Sequence, residues 1–158
     1  MIDVIKTSIQ NLIEKEEVQI TTQFYVPSIL TVQSYLHSIF YNLIVNSIKY
    51  RKPGIPPQIE IRSETKDGSV IITFEDNGLG IDLVKKGEQV FGLYRRFHNH
   101  IEGQGMGLFL VKTQVELLGG KISIESEVNA GTKFTITFQE KTFNYNYEHE
   151  ESTLYGGR

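Results

Sequence analysis

The chain has 158 residues, 39% of them hydrophobic, with no Cys, 4 His and a formal net charge of −3. That length makes one domain able to bury a sizeable core without cross-links; the lack of Cys excludes a disulfide scaffold and allows a cytoplasmic setting. The acidic balance argues against a general nucleic-acid binder, no apolar run approaches the roughly 20 residues that span a bilayer, and no secretory signal opens the chain.

In chain order, Ile2, Ile5, Ile9, Leu12 and Ile13 fall at helical spacing, so residues 2–17 read as an amphipathic opening helix. Val18 to Tyr25 alternates as a strand, and Pro27 ends it. Residues 35–50 form a second amphipathic helix through Leu36, Ile39, Phe40, Leu43 and Ile44. After the Pro-Gly-rich loop 53–57, strands over 58–65 and 69–75 are joined by Lys66-Asp67-Gly68, a good hairpin turn. Residues 87–105 show no sustained periodicity, which makes them a lid candidate, since loops of this length are functional or disordered; the pairs Lys85-Lys86 and Arg95-Arg96 read as loop and lid charges. A helix follows from Leu108 to Leu118, capped by Gly119-Gly120, and residues 121–126 and 132–139 supply the last strands. From Thr142 onward the chain is rich in Asn, Tyr and Glu; the expected division is a folded domain over 1–141 and a disordered polar tail, or an approach to a further domain, over 142–158.

Three constellations carry chemistry. The strand ending at Phe74 delivers Asp76 to a turn in which Gly78 and Gly80 can take positive φ and admit a flat ligand to the backbone, where the carboxylate would accept a hydrogen bond from an exocyclic amine such as adenine's. The cluster Gly103-Gln104-Gly105-Met106-Gly107 runs into a helix, and free N–H groups at a helix start attract phosphate. On the 35–50 helix, Asn42 and Asn46 stack four apart, with Lys49 and Tyr50 one turn on. An Asn carbonyl is a neutral hard ligand suited to Mg²⁺, and a Lys is a phosphate point charge. Taken singly, each has a plain alternative. Asp76-Asn77-Gly78 reads as a turn, the glycine run as a surface loop, and the Asn pair as side chains bonded to local backbone. The glycine run fits neither a Walker A sequence nor the dinucleotide fingerprint.

Together, the order Asn42-x-x-x-Asn46-x-x-Lys49-Tyr50, Asp76-x-Gly78-x-Gly80, Phe91-x-x-Tyr94-x-Arg96, Gly103-x-Gly105-x-Gly107-Leu108 and Gly131-Thr132 resembles the catalytic ATP-binding domain of sensor histidine kinases. These are similar to that family's N box, first glycine box, F box, second glycine box and final Gly-Thr motif, and they cover about two-thirds of the chain. The continuation Arg96-Phe97-His98 is most similar to hybrid and sensor kinases of that group. The resemblance implies an α/β (α+β) two-layer sandwich, a mixed sheet covered on one face by three helices, with an ATP lid. It implies that Asn46 holds Mg²⁺ with Asn42 assisting, Lys49 contacts phosphate, and Tyr50 packs near the base or ribose. Asp76 would specify adenine, Gly78 and Gly80 would let the nucleotide in, and Phe91, Tyr94 and Arg96 would belong to the lid. Gly103, Gly105, Gly107 and Leu108 would hold phosphates, with Thr132 near the adenine end. Asn42, Lys49 and Arg96 are the expected catalytic set.

ATP-hydrolysing relatives in the same superfamily carry Glu where this chain has Asn42, and a neutral amide takes no proton from water. The resemblance therefore implies transfer of the γ-phosphoryl to a His on a separate dimerisation domain of the same kinase, with a response regulator downstream, no nucleic acid and no membrane contact by this segment. None of the four His stands on such a helix: His37 lies in the Asn-bearing helix, His98 and His100 in the lid, and His149 in the tail. The other class left open is a nucleotide-sensing or protein-docking domain that keeps the pocket without catalysis.

Overall fold

The computed structural model describes residues 1–92 and 106–139. Five strands pair into one mixed sheet, β1 (Gln19–Phe24), β2 (Gln58–Lys66), β3 (Ser69–Asp76), β4 (Lys121–Glu127) and β5 (Gly131–Gln139), in the order β1-β2-β3-β5-β4; burial alternates along β2 to β5, while β1 is mostly exposed. Every neighbouring pair is antiparallel except β1 and β2, which run parallel. A parallel pair needs a long crossover, and the crossover here is α3 (Gln33–Lys49), the Asn-bearing helix. The β2–β3 hairpin turns at Asp67 (φ 51°) and Gly68 (φ 69°), two left-handed residues that match the strand twist.

One sheet face is apolar. Ile59, Ile61, Val70, Ile72, Phe74, Phe134, Ile136 and Phe138 point from it into a core completed by helices. α3 contributes Ile39, Leu43, Ile44 and Ile48, and α5 (Gly107–Leu117) contributes Val111 and Val115. The third cover is the opening helix. The structure breaks it at Ile9 into α1 (Ile2–Ser8) and α2 (Gln10–Lys15), where the periodicity predicts one continuous element. The Thr7 and Ser8 hydroxyls donate to the carbonyls of Asp3 and Ile5, at 2.9 and 2.7 Å, and such back-bonding bends helices. Ile2, Ile5 and Ile9 still reach the core, so the apolar stripe survives the break.

Helix ends follow local chemistry. After α5, the Gly119 N–H bonds Glu116 O and the Gly120 N–H bonds Val115 O, with Gly119 at φ 73°, a Schellman closure. After α2 the same pair of bonds is made by Glu17 and Val18, but the left-handed position is Glu17 at φ 53°, a conformation glycine adopts at lower cost. Short α4 (Leu83–Lys86), N-capped by the Asp82 carboxylate, and a 3-10 turn over Gly87–Gln89 occupy the start of the aperiodic stretch; single turns leave no periodic trace in a sequence. Tyr94, Arg96, Gly103 and Gly105, His98 and His100, and the tail from Thr142 lie outside the described residues.

Candidate nucleotide-binding site

Strand β3 ends at Asp76, half-buried at the margin of the core, and the sheet supplies its partners. Oδ1 accepts the Gly78 N–H at 2.9 Å and the Thr132 N–H at 3.2 Å, while Ser47 Oγ lies 2.9 Å from Oδ2. Burial pushes the Asp76 carboxyl above the ordinary Asp value, and the bonds from Gly78, Ser47 and Thr132 pull against that push. The carboxylate is thus oriented from three directions, with acceptor capacity left on Oδ2 for a donor from outside. Ser47 is the residue that sequence reasoning missed. It sits beside Asn46 on α3 and is buried, and its position one residue after that Asn, on the core side of the helix, is the signal that could have found it.

The glycines of the Asp76 turn act differently from expectation at one position. Gly80 has φ 67°, but Gly78 does not adopt positive φ. Gly78 is instead confined by space: a β-carbon there would lie 2.7 Å from Tyr50 O and 2.9 Å from Asp76 Oδ1. Gly80 packs on the β4–β5 turn, where a β-carbon would lie 1.9 Å from Glu127 O. Both glycines therefore let backbone segments close on one another around Asp76. The Leu79 N–H bonds Tyr50 O at 2.9 Å, the Asn129 N–H bonds Leu79 O at 2.8 Å, and the Ile81 N–H bonds Ser126 Oγ at 2.8 Å. Gly131, at φ 117°, leaves room for β5 to approach Asp76 O, and Thr132 Oγ1 meets Ser126 Oγ at 2.9 Å.

The Asn pair and the second glycine cluster meet across the α3–α5 contact. A β-carbon at Gly107 would lie 3.4 Å from Asn42 Oδ1 and 3.4 Å from Asn46 Nδ2, so the first residue of α5 stands directly over both amides. No side chain caps that helix start among the described residues. Asn42 Nδ2 donates to Ser38 O at 2.8 Å on its own helix, which turns its carbonyl oxygen toward α5. Asn42 Oδ1 and, farther at 3.7 Å from that Gly107 β-carbon position, Asn46 Oδ1 lie by the open N–H groups and positive dipole end of an 11-residue helix, donors of the kind that suit a metal–phosphate group. Among the described residues no group of three or more His, Cys, Asp or Glu could hold a metal, so the amides and the nucleotide's own phosphates are the donors on offer.

The remaining residues are placed less simply. Lys49 is one turn beyond Asn46 on α3, but its Nζ lies 5.2 Å over the Tyr50 ring, so a phosphate contact needs the side chain to swing away. Phe91 packs edge-on against Phe134 at 6.3 Å and carries Lys112 Nζ 5.9 Å from its ring, anchoring the base of the aperiodic stretch to sheet and α5. Leu108 is partly buried against the core and fixes the first turn of α5.

A mixed sheet with helices on one face and an Asp–Gly turn facing an Asn-bearing helix defines a class of nucleotide-binding domain, and comparisons identify its family. The family model described as "Histidine kinase-, DNA gyrase B-, and HSP90-like ATPase" matches residues 31–142, and the chain belongs to that family of ATP-binding domains. The sensor protein RprX of Bacteroides fragilis is 34% identical over 116 residues, covering 70% of this chain and 22% of RprX. The methanogenesis regulatory histidine kinase FilI of Methanothrix harundinacea is 40% identical over 91 residues, 58% of this chain and 10% of FilI. The chain thus spans under a quarter of these relatives. The nucleotide-free catalytic domain of the histidine kinase ThkA has the same fold, with a TM-score of 0.73 at 21% identity, over 88% of this chain and 90% of that one.

Proposed function

We propose that this domain binds Mg-ATP and donates the γ-phosphoryl to a histidine on a separate phosphoacceptor dimerisation domain of its kinase, with a response regulator receiving it in turn, in the cytoplasm. The observation that carries the reading is the approach of Gly107 to both Asn42 and Asn46, which brings together two motifs 61 and 65 residues apart in sequence. Asp76, aimed by Ser47, Gly78 and Thr132, accepts the adenine amine. Asn46, with Asn42, holds Mg²⁺; bound there, the metal neutralises phosphate charge and aligns the terminal phosphoryl. The N–H groups of α5 take the phosphates, joined by Lys49 once it leaves Tyr50 and by Gly103, Gly105, Tyr94 and Arg96 from the lid. Asn42, its Nδ2 tied to Ser38 O, offers no base to water, which directs the phosphoryl to a nucleophile from outside.

Exposed Met106, Phe109 and Leu110, at the start of α5, offer the incoming domain an apolar footing. The test pairs binding with transfer. At about 100 times Kd, Mg-ATP analogue stabilises the domain by roughly 2.7 kcal/mol, a melting shift of roughly 5–11 °C, with little from GTP. Isolated, the chain binds ATP and neither hydrolyses it quickly nor labels itself. Fused to a His-bearing helix pair it forms acid-labile, base-stable phosphate on those helices. Binding without any transfer in the fusion supports the nucleotide-sensing reading instead.

A further inference from the structure

The end of the sheet remote from Asp76 carries a second cavity. β1, β2 and β5 run in one direction and β3 in the other, so Asp76 and Thr132 share one end of the sheet while Phe24, Ser63 and Gln139 share the opposite end. There a groove of about 670 Å³ opens between α1, β1 and the 26–33 loop, its floor formed by Ile2, Leu36, Phe40 and Val70 and its rim by Phe24 and Leu30. Phe24 and Leu30 are 44% and 58% exposed and Tyr25, beside them, 77%. Apolar surface gathered in a concave site marks a binding surface.

The chain itself supplies an occupant. β5 ends at Gln139 against Ser69, next to Val70 of the groove floor, so residues 140–158 leave the sheet at the groove's own end. From Gln139 to the middle of the floor, beneath Ser63, is about two strand spacings and three residues of rise, roughly 14 Å. Phe143 can reach about 13 Å from Gln139 and Tyr145 about 20 Å. Phe143, Tyr145 and Tyr147 alternate with Asn144, Asn146 and Glu148, a period-2 pattern with one aromatic face and one polar face. Beyond it the acidic residues Glu148, Glu150 and Glu151 end the apolar pattern. An apolar groove within reach rewards such a segment, since each aromatic it buries removes about 150–250 Å² from water.

We propose that the occupant of this groove is the chain's own segment 143–147, with Phe143 and Tyr145 seated in it. Two measurements on the full chain test it. In the variant Phe143→Ser/Tyr145→Ser/Tyr147→Ser, hydrogen exchange at residues 24–33 and in α1 speeds up at least fivefold while exchange in β3 and β5 stays unchanged. Because the chain has no Cys, the pair Leu30→Cys/Tyr145→Cys forms an intrachain disulfide under mild oxidation at micromolar protein, and Leu30→Cys/Tyr155→Cys forms far less. Unchanged exchange overturns the proposal, as does a disulfide that forms equally with both pairs. Disulfides that form between chains and rise with concentration also overturn it, and assign the groove to a second copy.

Discussion

The two halves of the nucleotide site are built on opposite plans. At the Asp76 end, Ser47, Gly78 and Thr132 already hold the carboxylate, and three backbone segments lock around it through glycines that leave no room for a side chain. At the Asn46 end, an uncapped helix start faces two amides, and Lys49 rests on Tyr50. In the proposed reading, the first half is preformed for one base and the second completes its bonds only with phosphate and metal. On that reading, base selection is set before binding and phosphate affinity is realised during it.

The largest expected effect breaks the open half. Asn46→Ala lowers Mg²⁺-dependent ATP affinity by roughly 100-fold, read by calorimetric titration with and without the metal, while the melting temperature of the free domain barely moves. A variant that unfolds with unchanged metal dependence would assign the Asn pair to structure alone. Next, Asp76→Asn strikes the preformed half. Losing a bond to a charged acceptor costs about 1.5–3 kcal/mol, or roughly 10- to 100-fold in ATP affinity, along with preference over GTP.

The same substitution separates binding from stability through pH. Burial raises the Asp76 value in the folded state above the ordinary 3.8, so the folded chain binds the proton more tightly than the unfolded one. The resulting stabilisation is complete below pH 3.8 and is lost as pH rises through the raised folded value. Across that window the parent chain loses stability relative to Asp76→Asn, and a denaturant series at several pH values reads the divergence. A constant difference would show that the surrounding bonds fully offset the burial.

A smaller effect concerns the face proposed to meet the acceptor. Phe109→Ser removes an apolar contact worth about 1.5 kcal/mol, slowing phosphotransfer to acceptor helices roughly tenfold and leaving ATP affinity unchanged. The smallest lies far from both halves. Glu17→Gly relieves the left-handed position after α2, adding about 1 kcal/mol and roughly 2–4 °C, with ATP affinity unaltered.

Much of the architecture was legible because burial on one face writes itself into spacing. The strands, the α3 stripe and the hairpin at Asp67-Gly68 all follow from period and turn chemistry, to within one or two residues at their ends. The break at Ile9 was not, since it depends on how two hydroxyls choose between solvent and carbonyl oxygens. Within the site, Asp76 and the Asn pair could be singled out by residue type, and the resemblance joined them. What spacing could not give is which atoms close the site: Ser47 looks like any small polar residue in a helix until Asp76 is brought to it, and Gly78 owes its identity to the Tyr50 carbonyl and not to φ. Such contacts are made between segments and leave no local pattern.

The bond from Thr132 to Asp76 spans 56 positions of sequence, and that span governs when the site comes into being. The β2–β3 and β4–β5 hairpins close locally, but β3 meets β5 only after the intervening chain has been gathered in, a slow, entropically costly step. If Asp76 takes the adenine as proposed, no partly folded form with the two hairpins apart has the site for it. ATP therefore engages only chains that have completed this docking, and by mass action it draws the folding equilibrium toward them. A cell's nucleotide pool would act on this domain as a quality check on its own assembly, holding finished molecules closed and leaving unfinished ones to exchange, proteolysis and rescue.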